Sequence, residues 1–313
     1  MTDLSPMPIL YTPTIIANQL VANIVADQNQ QAALETQIST GNRVNVPSDD
    51  PAQAANILQL QSGLARAQQY ASNASDGLGW LSLGTSTLNQ VLAALQQARQ
   101  TVLSVSSATL TGQPAALQGL ATQIDGVRQE LVQLSNTLYG GQAIFAGTGN
   151  VSQAYAADGT YLGGGSAPTR TVAPGVQVPI AVTGPAVFGT GASGLLGDSP
   201  GNVGVLAQIS ADLRTGTSAS LQQVMTTDLA NLDSAISQVE SQAAVLGANY
   251  QRMQAFSQQA TDAQQALQTE LSGVQSTDMP LAITQLTQAQ NSYQAALWAA
   301  SRVTQDSLVQ FLG

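Results

Sequence analysis

Asp49 and Asp50 are the residues of this chain that most resemble a reactive pair. Paired acids can divide general-acid and general-base work or hold a hard cation. Adjacent side chains at a helix start point in different directions, however, and no third acid lies nearby. Pro51 follows at once, and an acid before a proline is a helix start signal. Its carboxylate caps free backbone N–H groups and complements the helix dipole. Arg43 pairs with Asp49 or Asp50, or with a neighbouring subunit, and each of these roles is structural. Asp158-Gly159-Thr160 resembles part of a calcium loop but lacks the further spaced oxygens, and reads as a turn. Leu162-Gly163-Gly164-Gly165 and Gly147-Thr148-Gly149 lack the Gly-Lys-Ser/Thr ending of a phosphate loop. No catalytic residue, cofactor site or metal site is expected, and the chain reads as a non-enzyme.

Composition narrows the choice further. The 313 residues include 18 acidic and 8 basic ones, a formal charge of −10, and no His or Cys. All the basic residues are Arg. Without His and Cys there can be no zinc finger, thiol enzyme, Ser-His-Asp triad or disulfide. Scattered Arg on an acidic chain is a poor match for nucleic acid, which needs clustered cations. Only 8% of residues are charged although 43% are hydrophobic. A soluble monomer usually carries about a quarter charged residues. Gln, Ser, Asn and Thr take their place, and such a surface buries against copies of itself without desolvating ions.

The positioning elements follow from periodicity. From Pro51, the residues Ile57, Leu60, Leu64, Ala67, Ala71, Ala74, Leu78, Leu81, Thr85, Leu88, Leu92, Leu95, Arg99 and Val102 alternate in steps of three and four. That is a heptad stripe, predicting one long helix that buries a narrow seam. Thr111-Gly112-Gln113-Pro114 breaks it. A second stripe runs from Leu117 through Leu120, Ile124, Val127, Leu131 and Leu134 to Leu138, with Gly140-Gly141 expected as its C-cap. A third runs from Leu229 through Leu232, Ile236, Val239, Ala243, Leu246 and Tyr250 to Met253. It returns at Leu267, Leu271 and Val274 before a break at 275–280. Three such helices pack as an antiparallel, coiled-coil-like rod, because none buries its stripe alone.

Between Ile144 and Asn202 the seven-residue period vanishes, and Gly, Pro, Thr and Val dominate. Residues 169–172 and 176–182 read as strands around a Pro174-Gly175 type II turn. The two ends are helical and mirror each other. Ile16, Leu20 and Ile24, flanked by Val21 and Val25 and resumed at Leu34 and Ile38, form one stripe; Leu286, Ala289, Tyr293, Ala296, Leu297, Ala300 and Val303 form another, which ends in Leu308, Phe311 and Leu312. Their polar faces carry Gln, Asn and Ser rather than Lys, so pairing with helices is favoured over lying on a membrane. The start of the chain has no basic n-region or apolar h-region, and no window approaches a bilayer span, so neither a cleaved secretory signal nor membrane insertion is expected. The expected class is mainly α. The expected division is terminal helices over 1–45 plus 280–313, a helical rod over 46–143 plus 203–279, and a β-rich outer insertion over 144–202.

Residues 38–51, Ile-Ser-Thr-Gly-Asn-Arg-Val-Asn-Val-Pro-Ser-Asp-Asp-Pro, resemble the signature of the flagellin superfamily. There a terminal helix ends in Ser/Thr-Gly, an Arg follows, and an Asp-Asp pair caps the next helix. The Pro-Ser-Asp-Asp-Pro version is similar to the hook-associated protein 3 branch. So are residues 139–148, Tyr-Gly-Gly-Gln-Ala-Ile-Phe-Ala-Gly-Thr, while the Asp-Ser-Leu-Val-Gln-Phe-Leu run at 306–312 is similar to the family's Ser-Leu-(two residues)-Phe/Leu-Leu ending. The chain departs from the family in its proline-bearing opening and its lack of Lys.

The resemblance implies a structural component of the bacterial flagellum at the hook–filament junction, exported unfolded by the flagellar type III apparatus with an export chaperone. It implies a homo-oligomeric ring between a junction protein of the hook-associated protein 1 type and flagellin, secreted and extracellular. Terminal helices would pair with each other and with neighbouring copies, making Arg43, Asp49, Asp50, Leu308, Phe311 and Leu312 structural or assembly residues. Flagellin itself is the alternative within the family. A secreted helical translocator acting on membranes is the alternative from another class.

Overall fold

A computed structural model describes residues 13–105, 113–149, 151–199 and 201–312. In chain order it contains α1 (Pro13–Thr40), α2 (Pro51–Ser104), α3 (Pro114–Ser135), β1 (Leu138–Tyr139) and β2 (Gln142–Ala143). Then come β3 (Thr169–Ala173), β4 (Val176–Pro179), α4 (Gly184–Phe188), β5 (Asp198–Ser199) and β6 (Asn202–Val203). The chain continues with α5 (Val205–Thr215), α6 (Ser218–Gln223), a π turn (Val224–Asp228), α7 (Leu229–Gln275) and α8 (Met279–Leu312). Its residues group into two compact units, one ending at 65 and resuming at 265, the other spanning 66–264; α2 and α7 contribute to both.

In the unit of 66–264, α2 and α7 run antiparallel. Residues 67, 77, 84 and 99 of α2 meet residues 264, 253, 246 and 233 of α7, through Gln264 Nε2 to the Ala67 carbonyl (3.2 Å), Met253 against Gly77, Leu246 against Gly84, and Arg99 to Asp233. Ala74, Leu81, Leu88, Leu95 and Val102 stand seven apart and are fully buried. The second buried row lies three residues on, at Gly77, Gly84, Val91, Ala98 and Val105. The expected partner row of Leu78, Thr85, Leu92 and Arg99 is only half-buried. α3 and the insertion widen the covered arc beyond a two-helix seam, so the core shifts to one side.

Glycines along this part of α2 answer to space. A Cβ on Gly77 would stand 2.6 Å from Met253 Cε, and one on Gly79 would stand 2.3 Å from the Tyr139 hydroxyl. Tyr139 lies against Trp80, ring centroids 5.2 Å apart.

α3 ends at Ser135, earlier than its stripe suggested. Gly140 and Gly141, both with positive φ, form the turn of the β1–β2 hairpin instead of capping the helix, and Leu138 is exposed in β1. Asn136 is the reason. Its backbone N–H closes the last turn of α3, while its side-chain oxygen accepts from Tyr155 N (2.9 Å) and its Nδ2 donates to Tyr155 O (2.8 Å). This one side chain joins the end of α3 to the start of the insertion.

The insertion shares its buried residues with the helices rather than enclosing a core of its own. Phe145 and Phe188 meet edge to face at 5.4 Å, and Tyr155 packs against Phe188 and Tyr161. Strands β3 and β4 pair antiparallel around Pro174-Gly175, with Gly175 at φ +72° as a type II turn requires and an irregularity between Thr171 and Ala173. β4 stops at Pro179, short of the expected Val182. Arg170 Nε donates to Asp76 Oδ2 (2.7 Å) and Asn73 Nδ2 to the Thr171 carbonyl (2.8 Å), tying this hairpin to α2.

Helix α5 covers α3 through Ile209 and Leu213, the Ser210 hydroxyl to the Ala121 carbonyl (3.4 Å), and an ion pair between Arg214 and Asp125. It ends on Gly216 in the left-handed conformation.

In the other unit α1 packs along α8. Gln28 Nε2 donates to the Tyr293 hydroxyl (3.1 Å) and Gln31 Nε2 to the Ala289 carbonyl (3.0 Å). The terminal helices therefore find partners in each other within one chain. A small cluster of Val44, Ile57, Leu60 and Leu271 closes the first turns of α2 against the last turns of α7.

Leu131 is wholly buried, so Leu131→Ala is expected to cost about 2–5 kcal/mol through lost burial and a cavity. Exposed Leu138, a member of the same sequence stripe, is expected to tolerate Ala within about 0.5 kcal/mol. Thermal unfolding followed by circular dichroism separates the two. The Tyr155 hydroxyl is buried without a hydrogen-bond partner, and burial pushes its pKa well above the usual tyrosine value. Tyr155→Phe is therefore expected to keep or raise the melting temperature, since it removes an unsatisfied polar group; a fall would overturn this.

Candidate assembly interface

The turn between α1 and α2 is built by three of the residues singled out above. Asp50 is the N-cap of α2: its Oδ1 accepts from Gln53 N (3.0 Å) and its carbonyl from Ala54 N (2.8 Å). Asp49 faces the other way. Its Oδ2 accepts from both Asn45 N and Val46 N at 3.0 Å, closing residues 45–49 into a loop. Backbone donors thus engage both carboxylates, and the pair has the chemistry of a scaffold.

Arg43 donates to neither of them. Its Nη2 reaches the Val274 carbonyl (3.2 Å) and its N–H the Gln275 carbonyl (2.8 Å), at the end of α7. There a fixed cation satisfies a terminal carbonyl and complements the negative end of the helix dipole. Thr277 N donates back to the Gly41 carbonyl (2.9 Å), and Asn42 bridges Ser276. The two interhelix linkers, 41–43 and 275–277, are thereby zipped together. Gly41, at φ +72°, ends α1 and turns the chain into this crossing.

Asp278 was not singled out from the sequence, although it repeats the device of Asp50. Its Oδ1 accepts from Leu281 N (3.1 Å) to cap α8, two residues before Pro280. An acid followed closely by proline is the signal that could have found it.

The α1–α8 pair leaves apolar side chains in solvent. Val21 and Val25 on α1, and Leu281, Ile283, Leu297 and Trp298 on α8, are exposed, Trp298 by 75%. Trp298 and Arg302 stand one turn apart along a shallow groove with Asn291, Gln294, Ala295 and Ala299. Leu308, Phe311 and Leu312 belong to α8, but their side chains lie outside the described residues. Among the described residues no helix is long and apolar enough to cross a membrane.

Because Asp50 caps one end of α2, Asp50→Ala is expected to cost about 1 kcal/mol, and Asp50→Asn much less. Equal melting curves for Asp50→Ala and the parent would contradict the capping role.

Residues 13–150 match the bacterial flagellin N-terminal helical region, and residues 229–312 the bacterial flagellin C-terminal helical region. The chain is 34% identical over 172 residues to flagellar hook-associated protein 3 of Salmonella typhimurium, covering 54% of each chain. It is 30% identical over 194 residues to flagellar hook-associated protein 3 of Escherichia coli, covering 61% of each. It thus spans between half and two thirds of the length of the curated relatives it matches. FlgL from Bacillus cereus, 21% identical, superposes with a TM-score of 0.54 over 68% of this chain and 99% of its own, a likeness of fold. With α1, α2, α3, α7 and α8 falling inside the two matched regions, the chain belongs to the flagellin family.

Proposed function

We propose that this chain is a structural component of the bacterial flagellum at the hook–filament junction. The observation that carries the reading is its likeness to two hook-associated protein 3 chains, at 34% and 30% identity. The physical arrangement supports it. A charge-poor surface and a helix pair that leaves valines, leucines and a tryptophan in water suit a subunit whose ends are covered in an assembly. On this reading copies form a ring between a junction protein of the hook-associated protein 1 type and flagellin. They reach it unfolded, through the flagellar type III apparatus with an export chaperone, and act outside the cell.

The terminal segments, 1–45 and 280–313, form the inner assembly domain in this proposal. Residues 46–143 plus 203–279 form the rod, and 144–202 face outward. Leu308, Phe311 and Leu312 are the proposed contacts at the end of α8, each contributing about 1.5–3 kcal/mol if fully buried between copies. Arg43, Asp49 and Asp50 hold the crossing from which the assembly domain emerges.

A deletion strain is expected to make hooks without filaments and to shed flagellin into the medium, as seen by electron microscopy. A copy truncated after Asp306 is expected to melt with the parent yet to fail to restore swimming. Full motility with the truncated copy would exclude the C-terminal residues as assembly contacts. Filament-bearing hooks in the deletion strain would exclude the junction role.

A further inference from the structure

Asp228 occupies an unusual place for an acid. It closes the π turn that leads into α7, is 2% exposed, and its Oδ2 has no hydrogen-bond partner. Single π turns interrupt helices at a cost and mark places where packing differs from a plain helix. From α5, Asp212 is its acidic neighbour. Two adjacent carboxyl groups can hydrogen-bond to each other only while one proton remains between them.

The cations of the neighbouring helices are engaged elsewhere, Arg128 of α3 donating to the Leu196 carbonyl (3.5 Å). Arg214, the cation of α5, is paired with Asp125 of α3, and Arg99 of α2 is paired with Asp233, one turn into α7. Helix α6 carries no ionisable side chain. Asp212 otherwise accepts from Gln208 Nε2 at 2.8 Å, a neutral donor. We propose that Asp212 and Asp228 form a proton-dependent latch: sharing one proton, they join α5 to the head of α7, and losing it they repel and loosen that junction.

Burial, and then the neighbouring Asp212 charge, push the Asp228 carboxyl up to about 6. An unfolded aspartate titrates near 3.9. Between these values the folded chain holds a proton that the unfolded chain has released, so stability falls as pH rises across about 4 to 6. Below that window both states are protonated; above it both are ionised and the loss is complete. The full effect is about a hundredfold in the opening equilibrium, two pKa units taken as powers of ten.

The test is thermal melting of the full chain against pH, comparing the parent with Asp228→Asn. Other carboxylates affect both proteins alike, so the difference between them is the readout. The variant is expected to gain on the parent from pH 4 to 7 and to hold that advantage above. Amide exchange in α5 and residues 224–229, corrected for intrinsic rates, is expected to show parent opening that rises up to about a hundredfold over the same range and is flat in the variant. Parallel stability profiles would overturn the proposal. Carboxyl carbon titration of the parent gives a second measurement that needs no folded variant. Asp228 is expected near 6, and lower in Asp212→Asn. An Asp228 carboxyl titrating near 4 in the folded parent would also overturn it.

Discussion

The distance between α2 and α7 governs the unit of 66–264. Where Gly77 and Gly84 replace a larger residue in a buried row of α2, Met253 and Leu246 come close to the helix backbone. A glycine inside a helix costs about 0.5–1 kcal/mol relative to alanine. Here that loss is set against the burial of Met253, Leu246 and Ile180, each held at under 2% exposure. The same stretch of α2 receives Tyr139 over Gly79 and the β3–β4 hairpin through Asp76 and Asn73. Helix pairing and insertion docking thus use one stretch of α2, 73–84, whose glycines at 77, 79 and 84 leave the room. A bulkier side chain there would push out both at once.

The long helices were legible because their apolar residues repeat at a spacing no other element shares. Pro51 and Pro114 mark the starts of α2 and α3, and Pro174-Gly175 the hairpin turn. The end of α3 was not legible in the same way, since Leu134 and Leu138 continue the stripe in sequence while Asn136 ends the helix in space. Its partner, Tyr155, is 19 residues away, and periodicity holds no information about that contact. Helix α5 was missed for a different reason. Val205, Ile209 and Leu213 are spaced for one helical face, but three apolar positions between glycines are too few to stand out from a Gly-rich stretch.

Among the residues proposed for assembly, Asp50 makes the cap expected of it, and Arg43 within the chain reaches a backbone carbonyl rather than Asp49 or Asp50. A cap acts within three residues of itself, so its signal is local. Arg43 acts on Val274, 231 residues away, at a helix end that exists only once the linkers have met. The hydrogen-bonding capacity of a guanidinium made a nearby carboxylate the natural expectation. Asp49 was already committed to the backbone of its own loop, and a terminal carbonyl remained for Arg43.

The crossing of residues 41–43 with 275–277 also orders events in time. Partners more than 230 residues apart must close a very long loop before their contacts repay it, which slows their formation. During synthesis at about 5–20 residues per second, α1 emerges and then waits on the order of ten seconds or more before α8 exists to cover it. Over that interval its leucines and isoleucines face water, or whatever else in the cell offers an apolar groove. The helix pair that completes the fold is therefore the part of the newborn chain that spends longest without it.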